Sequence, residues 1–124
     1  MINFQNDNIF KLSPIDPQSV YKSLEVMLVD GEQIINAFKT IRDKVVVTNK
    51  RIITINVQGI TGKKVDYTSL PFSKVQAFSI ETAGHFDFDC VLELWFTGLG
   101  KVRLEINGSF DIRTFNKTLS TYIL

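Results

Sequence analysis

Phe88-Asp89-Cys90-Val91-Leu92-Glu93-Leu94-Trp95-Phe96-Thr97, the turn Gly98-Leu99-Gly100, and Lys101-Val102-Arg103-Leu104-Glu105-Ile106 decide the fold. In the first arm Phe88, Cys90, Leu92, Leu94 and Phe96 alternate with Asp89, Val91, Glu93, Trp95 and Thr97. Successive side chains on a strand point to opposite sides, so this is a strand with one apolar face. The second arm repeats the period, with Val102, Leu104 and Ile106 against Lys101, Arg103 and Glu105. Two such arms across a short glycine-bracketed turn make an antiparallel hairpin that covers a core on one side only.

Upstream, the same logic gives further strands. Residues 34–41 alternate, Val45-Val46-Val47 is a β-branched run, and Thr48-Asn49-Lys50-Arg51 is a tight turn into Ile52–Val57. Gly59 to Gly62 turns the chain into Val65, Tyr67 and Ser69, a strand that Pro71 stops, and Val75–Thr82 follows. Asn107-Gly108-Ser109 ends the sheet. Ile112, Phe115, Leu119, Tyr122 and Ile123 then fall on one face of a helix capped by Ser109 or Asp111. At the other end Asp16-Pro17 reads as a helix cap and first turn. Val20, Leu24, Met27 and Leu28 share one face, and Asp30-Gly31 stops a helix over 16–29. The expected architecture is mainly β: a seven-stranded, bent antiparallel sheet or partly open barrel, capped by a C-terminal helix, with an extra N-terminal helix. One domain is expected, with an N-terminal helical extension over 1–31, the β-meander over 32–107 and the last helix over 109–124.

Composition agrees. A chain of 124 residues, 44% hydrophobic and 22% charged, is sized for one core. Val, Ile and Thr make 35 residues and Ala makes 3, a β-favouring balance. A net charge of +1 excludes a global basic footprint for nucleic acid. The local distribution is uneven: residues 39–64 carry Lys39, Arg42, Lys44, Lys50, Arg51, Lys63 and Lys64 against Asp43 alone, while residues 81–93 carry Glu81, Asp87, Asp89 and Glu93 with no Lys or Arg. Cys90 has no partner for a disulfide. The N-terminus lacks a basic region followed by an apolar one, and the longest uncharged stretch, Ile52 to Gly62, is only eleven residues. A soluble cytoplasmic protein is the expectation.

Ala37–Lys44, Val47–Ile53, Gln58–Lys64 and, most specifically, Ile80-Glu81-Thr82-Ala83-Gly84-His85-Phe86-Asp87 resemble the bacterial pleckstrin-homology (PH) domain family of small single-domain proteins. The resemblance spans about Asp16 to Leu124. It implies a PH-like fold and a tendency to homo-oligomers. Two departures from eukaryotic PH domains stand out. The C-terminal helix has Phe115 where those domains carry Trp, and the chain's single Trp is Trp95. The basic pattern of the first hairpin, Lys39, Arg42 and Lys44, ends in Lys, which lacks the two-pronged phosphate grip of Arg.

No catalytic, cofactor or metal site is expected. The single histidine, His85, has no nucleophile elbow to serve, and His85 with Glu81, Asp87 and Asp89 lacks the ligand density of a calcium loop. Gly59 and Gly62 lie between strands, not before a phosphate-binding helix. The expected function is a non-enzymatic interaction module that self-assembles into a homo-oligomer, head-to-tail and closing to a ring, with Glu93 and Trp95 as candidate interface residues. The alternative is a weak, multivalent binder of anionic headgroups or membranes through Lys39, Arg42 and Lys44. Lys50 and Arg51 fall at the far end of the intervening strand, so they do not join that patch.

Overall fold

The computed structural model describes Phe4, residues 9–82, Gly84 and residues 89–124, with residues 9 and 10 described by their backbone. Phe88, expected in the core, and His85 and Asp87 lie outside the described residues. Strand β1 spans Ile9–Ile15 and helix α1 Gln18–Leu24. Strands β2 (Ile34–Lys39), β3 (Lys44–Thr48), β4 (Arg51–Gln58) and β5 (Lys64–Pro71) form an antiparallel meander. A short 3-10 turn, Phe72–Lys74, leads to β6 (Val75–Thr82), β7 (Cys90–Phe96) and β8 (Gly100–Ile106), a second meander, and then to α2 (Ile112–Ile123).

The sheet has eight strands, not seven, in the order β5-β4-β3-β2-β1-β8-β7-β6. The additional strand is β1, which joins the two meanders. It runs antiparallel to β2 through Ser13–Lys39, Pro14–Phe38 and Ile15–Ala37, and parallel to β8 through Ile9–Leu104 and Leu12–Ile106. Its sequence conceals it. Lys11 takes a left-handed φ of 56° at an irregularity in the register, which breaks the alternation. Pro14 reads as a strand breaker, yet it lies past the last β8 pairing, Leu12–Ile106, so no β8 neighbour requires an N–H there.

The sheet is buried on both faces over β2 to β4. Inside the bend, Phe38, Val45, Val47, Ile52, Leu92, Leu94, Leu104 and Ile106 pack with Ile112, Phe115 and Leu119 of α2. On the outside, Ala37, Val46, Ile53 and Ile55 pack under Val20 and Leu24 of α1. This explains why Val45–Thr48 is buried at every position where a one-sided strand would alternate. Where no helix covers the outside, β7 keeps its period: Cys90, Leu92, Leu94 and Phe96 are buried, and Val91, Glu93 and Trp95 are half-buried. Asp111 caps α2, with its Oδ1 accepting from Thr114 N–H at 3.1 Å, which decides between the two candidate caps. Phe115, at the position of the missing Trp, stacks edge-on with Phe38 and Phe110 at centroid distances of 5.9 and 5.0 Å.

Helix α1 is shorter than the expected 16–29. Asp16 does accept from Gln18 N–H at 2.9 Å at its start, but the chain leaves the helix after Leu24. The following loop is shaped by Glu32, whose side chain has no exposed surface. Its Oε2 accepts from Thr48 Oγ1 at 2.7 Å and Arg51 Nε at 2.8 Å, and its Oε1 from Arg51 Nη2 at 2.9 Å and Val29 N–H at 3.1 Å. Arg51 Nη2 also donates to the Met27 carbonyl at 3.0 Å. Burial raises the carboxyl's pKa, but the hydrogen bonds from Arg51, Thr48 and Val29 outweigh it and hold Glu32 below its ordinary value.

The stability this carboxylate confers is full above the ordinary value of 4.5 and is lost as pH falls through the lower folded value. Glu32→Gln leaves Arg51 without its counter-charge and is expected to lower unfolding free energy by about 3 kcal/mol at pH 7. Urea titrations at pH 7 and at a series of pH values below 4.5 check this: the gap between wild type and variant narrows as pH falls toward and through the lowered folded value.

Candidate functional site

In an antiparallel meander alternate turns lie at the same end, and this brings together two hairpins that are far apart in sequence. The β2–β3 turn is closed by Thr40 N–H donating to the Asp43 carbonyl at 2.8 Å and Asp43 N–H donating to Thr40 Oγ1 at 3.0 Å. Ile41 and Arg42 occupy its tip. The β4–β5 turn closes through Gly62 N–H to the Gly59 carbonyl at 3.4 Å, with both glycines at positive φ, 78° and 67°. Ile60 occupies that tip. Arg42 Nη2 donates to the Gly59 carbonyl at 2.6 Å and ties the two turns together.

The chemistry of this pole is one-sided. Lys39, Arg42, Lys44, Lys63 and Lys64 are all exposed. Lys39 and Lys44 are register partners across β2 and β3. Like charges directly opposite each other on a sheet are destabilising, so the fold carries a local cost here. Asp43, the single acid of residues 39–64, does not neutralise them outward. Its Oδ1 accepts from Val57 N–H at 3.0 Å and its Oδ2 from Asn56 Nδ2 at 3.2 Å. Ile41 and Ile60 are fully exposed, at 102% and 103% of the reference area. Lys11, Ser13, Lys39, Thr40 and Ile41 line a shallow hollow of about 380 Å³ beside the tips. The site thus combines two projecting apolar side chains with a ring of cations.

The structure therefore groups Lys39, Arg42 and Lys44 as the sequence suggests and adds Lys63, Lys64, Ile41 and Ile60. The missed signal is the parity of turns: β2–β3 and β4–β5 are two turns apart, so they share a pole. Lys50 and Arg51 sit at the opposite end, as expected, where Arg51 is engaged with Glu32 and with Ser69 Oγ at 2.9 Å. A cleft of about 790 Å³ at that end is floored by the same Glu32 and Arg51.

The other candidates lie on the outer face of β7. Glu93 Oε2 pairs with Lys101 Nζ at 3.0 Å and lies 3.7 Å from Arg103 Nη1, across the strand register on β8. Trp95 is half-buried, flanked by Ala77 of β6 and Lys101 of β8. Helix α1 packs on β2–β4 and not on this strand. The Cys90 thiol is buried and its pKa is pushed up to about 11, first by burial and then by Asp89, which makes it a poor nucleophile at neutral pH. Among the described residues no group of three His, Cys, Asp or Glu side chains is placed to hold a metal ion, and no helix is long and apolar enough to cross a membrane.

An open, bent β-sheet with a helix plugging its interior is the PH architecture, and the comparisons with known proteins agree. The bacterial PH domain family model matches residues 3–123, and the chain belongs to that family. The crystal structure of a DUF1696 family protein with a pleckstrin-homology domain from Shewanella loihica superposes with a TM-score of 0.78 at 36% identity, covering 93% of this chain and 99% of that one. A pleckstrin homology domain from Shewanella amazonensis gives 0.64 at 39% identity, over 89% and 90% of the two chains. The uncharacterized protein YjqA of Bacillus subtilis is 43% identical over 86 residues, 69% of each chain.

Asp43→Ala removes both acceptors that anchor the β2–β3 turn to β4. A stability loss of about 1–3 kcal/mol is expected from the two lost hydrogen bonds, one of them to a backbone N–H. Hydrogen exchange should report faster exchange at Val57 N–H with the core of β7 unchanged.

Proposed function

We propose that this PH-like domain is a non-enzymatic docking module for anionic membrane surfaces, working through the pole of Ile41 and Ile60. The observation that carries the reading is the pairing of two fully exposed isoleucines at loop tips with five exposed cations, while Asp43, the acid of their own stretch, accepts hydrogen bonds from Val57 and Asn56. A protein gains nothing in water from projecting Ile at a turn tip, whereas an interface that accepts apolar groups and carries negative charge satisfies both features.

Magnitudes decide what kind of binding this supports. Five cations at ~1 kcal/mol each give ~5 kcal/mol at an anionic surface. Two Ile side chains at ~1.5–3 kcal/mol each add ~3–6 kcal/mol on full burial. Association costs of at least ~4 kcal/mol come off that sum. The remaining ~4–7 kcal/mol corresponds to dissociation constants from about a millimolar to about ten micromolar. A single copy binds weakly, and several copies presented together bind ~10²–10⁴-fold better.

Sedimentation with vesicles of mixed phosphatidylserine and phosphatidylcholine tests the reading. Binding is expected at 0.1 M salt, falling steeply by ~0.5 M as screening removes the cationic share. The double variant Ile41→Asp, Ile60→Asp, confirmed folded by circular dichroism, should bind at least tenfold more weakly. Equal binding by that variant, or equal binding to vesicles of phosphatidylcholine alone, overturns the proposal.

A second reading, assembly of copies of this chain, is favoured by Trp95 on a sheet face that no described helix covers. Light scattering at two concentrations is expected to give a mass above that of one chain, reduced by Trp95→Ala. A single-chain mass at tens of micromolar removes this reading.

A further inference from the structure

We propose that the cleft at the end of the strands opposite Ile41 and Ile60 binds an aliphatic carboxylate of the fatty-acid type. Lys50, Arg51 and Ser69 hold the carboxylate, and the tail lies against Val29, Tyr122 and Ile123. This site is separate from the membrane-docking pole and does not depend on it. The cleft holds about 790 Å³, within the ~300–1,000 Å³ range of small-molecule sites. One wall is the start of β4 and the end of β5, where Arg51 is the register partner of Pro71 and Phe72 N–H donates to the Lys50 carbonyl at 3.0 Å. The last turn of α2 forms the other wall.

The polar side of the cleft has donors to spare. A guanidinium carries five N–H groups. In Arg51 four of them bond to Glu32 twice, to Met27 and to Ser69, and the second N–H on Nη1 has no partner among the described residues. Ser69 Oγ accepts from Arg51 Nη1 at 2.9 Å, which leaves its own proton free to donate. Two unspent donors therefore sit on neighbouring atoms 2.9 Å apart, an arrangement that suits the two oxygens of one carboxylate. Lys50 is exposed on the same rim, and its ammonium has no acceptor among the described residues. Glu32, the one side-chain carboxylate lining the cleft, has no exposed surface, and Arg51 matches its charge.

Charge and apolar surface together define the occupant. Lys50 is the one cation left uncompensated, so the cleft suits a monoanion. A phosphomonoester carries about −1.5 to −2 charges at pH 7, more than that cation balances, whereas a carboxylate carries one. Val29 and Tyr122 are 56% and 43% exposed, and both line the cleft beside Ile123 and the buried Phe72. Large apolar side chains left open next to unspent donors call for a ligand with an apolar body as well as a charged head, which excludes a bare inorganic ion.

The probe is decanoate, with decanol as the tail without the charge and acetate as the charge without the tail. Amide chemical-shift titrations of the full chain at about 50 mM salt should show decanoate binding at least tenfold more tightly than either control. The shifts should map to residues 49–51, 69–73 and 121–123. Lys50→Glu, at an exposed position, should weaken decanoate at least fivefold and leave decanol unchanged. The Ile41→Asp, Ile60→Asp variant should bind decanoate as wild type does; loss of binding there places the probe on the docking pole and overturns the proposal. Equal affinity for decanoate and decanol, shifts that map elsewhere, or tighter binding of a short apolar peptide through its free C-terminus also overturn it. So do concentration-dependent shifts at the same residues without decanoate, since a second copy would then fill the cleft.

Discussion

The carboxylate of Glu32 holds three parts of the chain that would otherwise be joined only by packing. Through Val29 N–H it closes the loop that follows α1, through Thr48 it reaches the end of β3, and through Arg51 it reaches the start of β4. Arg51 extends the link to Met27 and Ser69. Four donors on one buried carboxylate meet the condition under which a buried charge is tolerable. Helix α1 is only seven residues, too short to be stable alone, so its place over Val46 and Ile53 depends on this anchor and on the contacts of Val20 and Leu24.

That placement shapes the whole sheet. Because α1 covers the outside and α2 the inside, β3 and β4 are apolar on both faces, while β7 and β8 keep a wet outer face laced by Glu93, Lys101, Arg103 and Glu105. The strictly alternating hairpin 90–106 was readable from sequence because only one of its faces is buried. The β-branched run at 45–47 was readable as a strand from residue type, though not which helix covered it. Strand β1 was not readable, since its Lys11 and Pro14 violate strand patterning and its partners, β2 and β8, are remote in sequence. The length of α1 was also hidden: periodicity continues through Met27 and Leu28, but the helix ends at Leu24 and the Met27 carbonyl accepts from Arg51 instead.

The candidate site was half legible for a related reason. Lys39, Arg42 and Lys44 cluster within one hairpin and are visible in the sequence. Lys63, Lys64 and Ile60 join them only because the meander returns a second turn to the same pole, and Arg42 fixes that return by bonding to Gly59. The role of Asp43 is the least legible part. On paper it is the acid that tempers a basic segment; in the fold its two oxygens accept from Val57 and Asn56 and tie the turn to β4.

The eight-stranded sheet sets the β2–β3 and β4–β5 turns far from its β6 edge. The pole of Ile41 and Ile60 lies at the ends of β2 to β5, whereas β6 edges the opposite half of the sheet, separated from the pole strands by β1, β8 and β7. The strand that joins the two halves, β1, is irregular at Lys11, so the halves are coupled by a strand with a built-in break in its register.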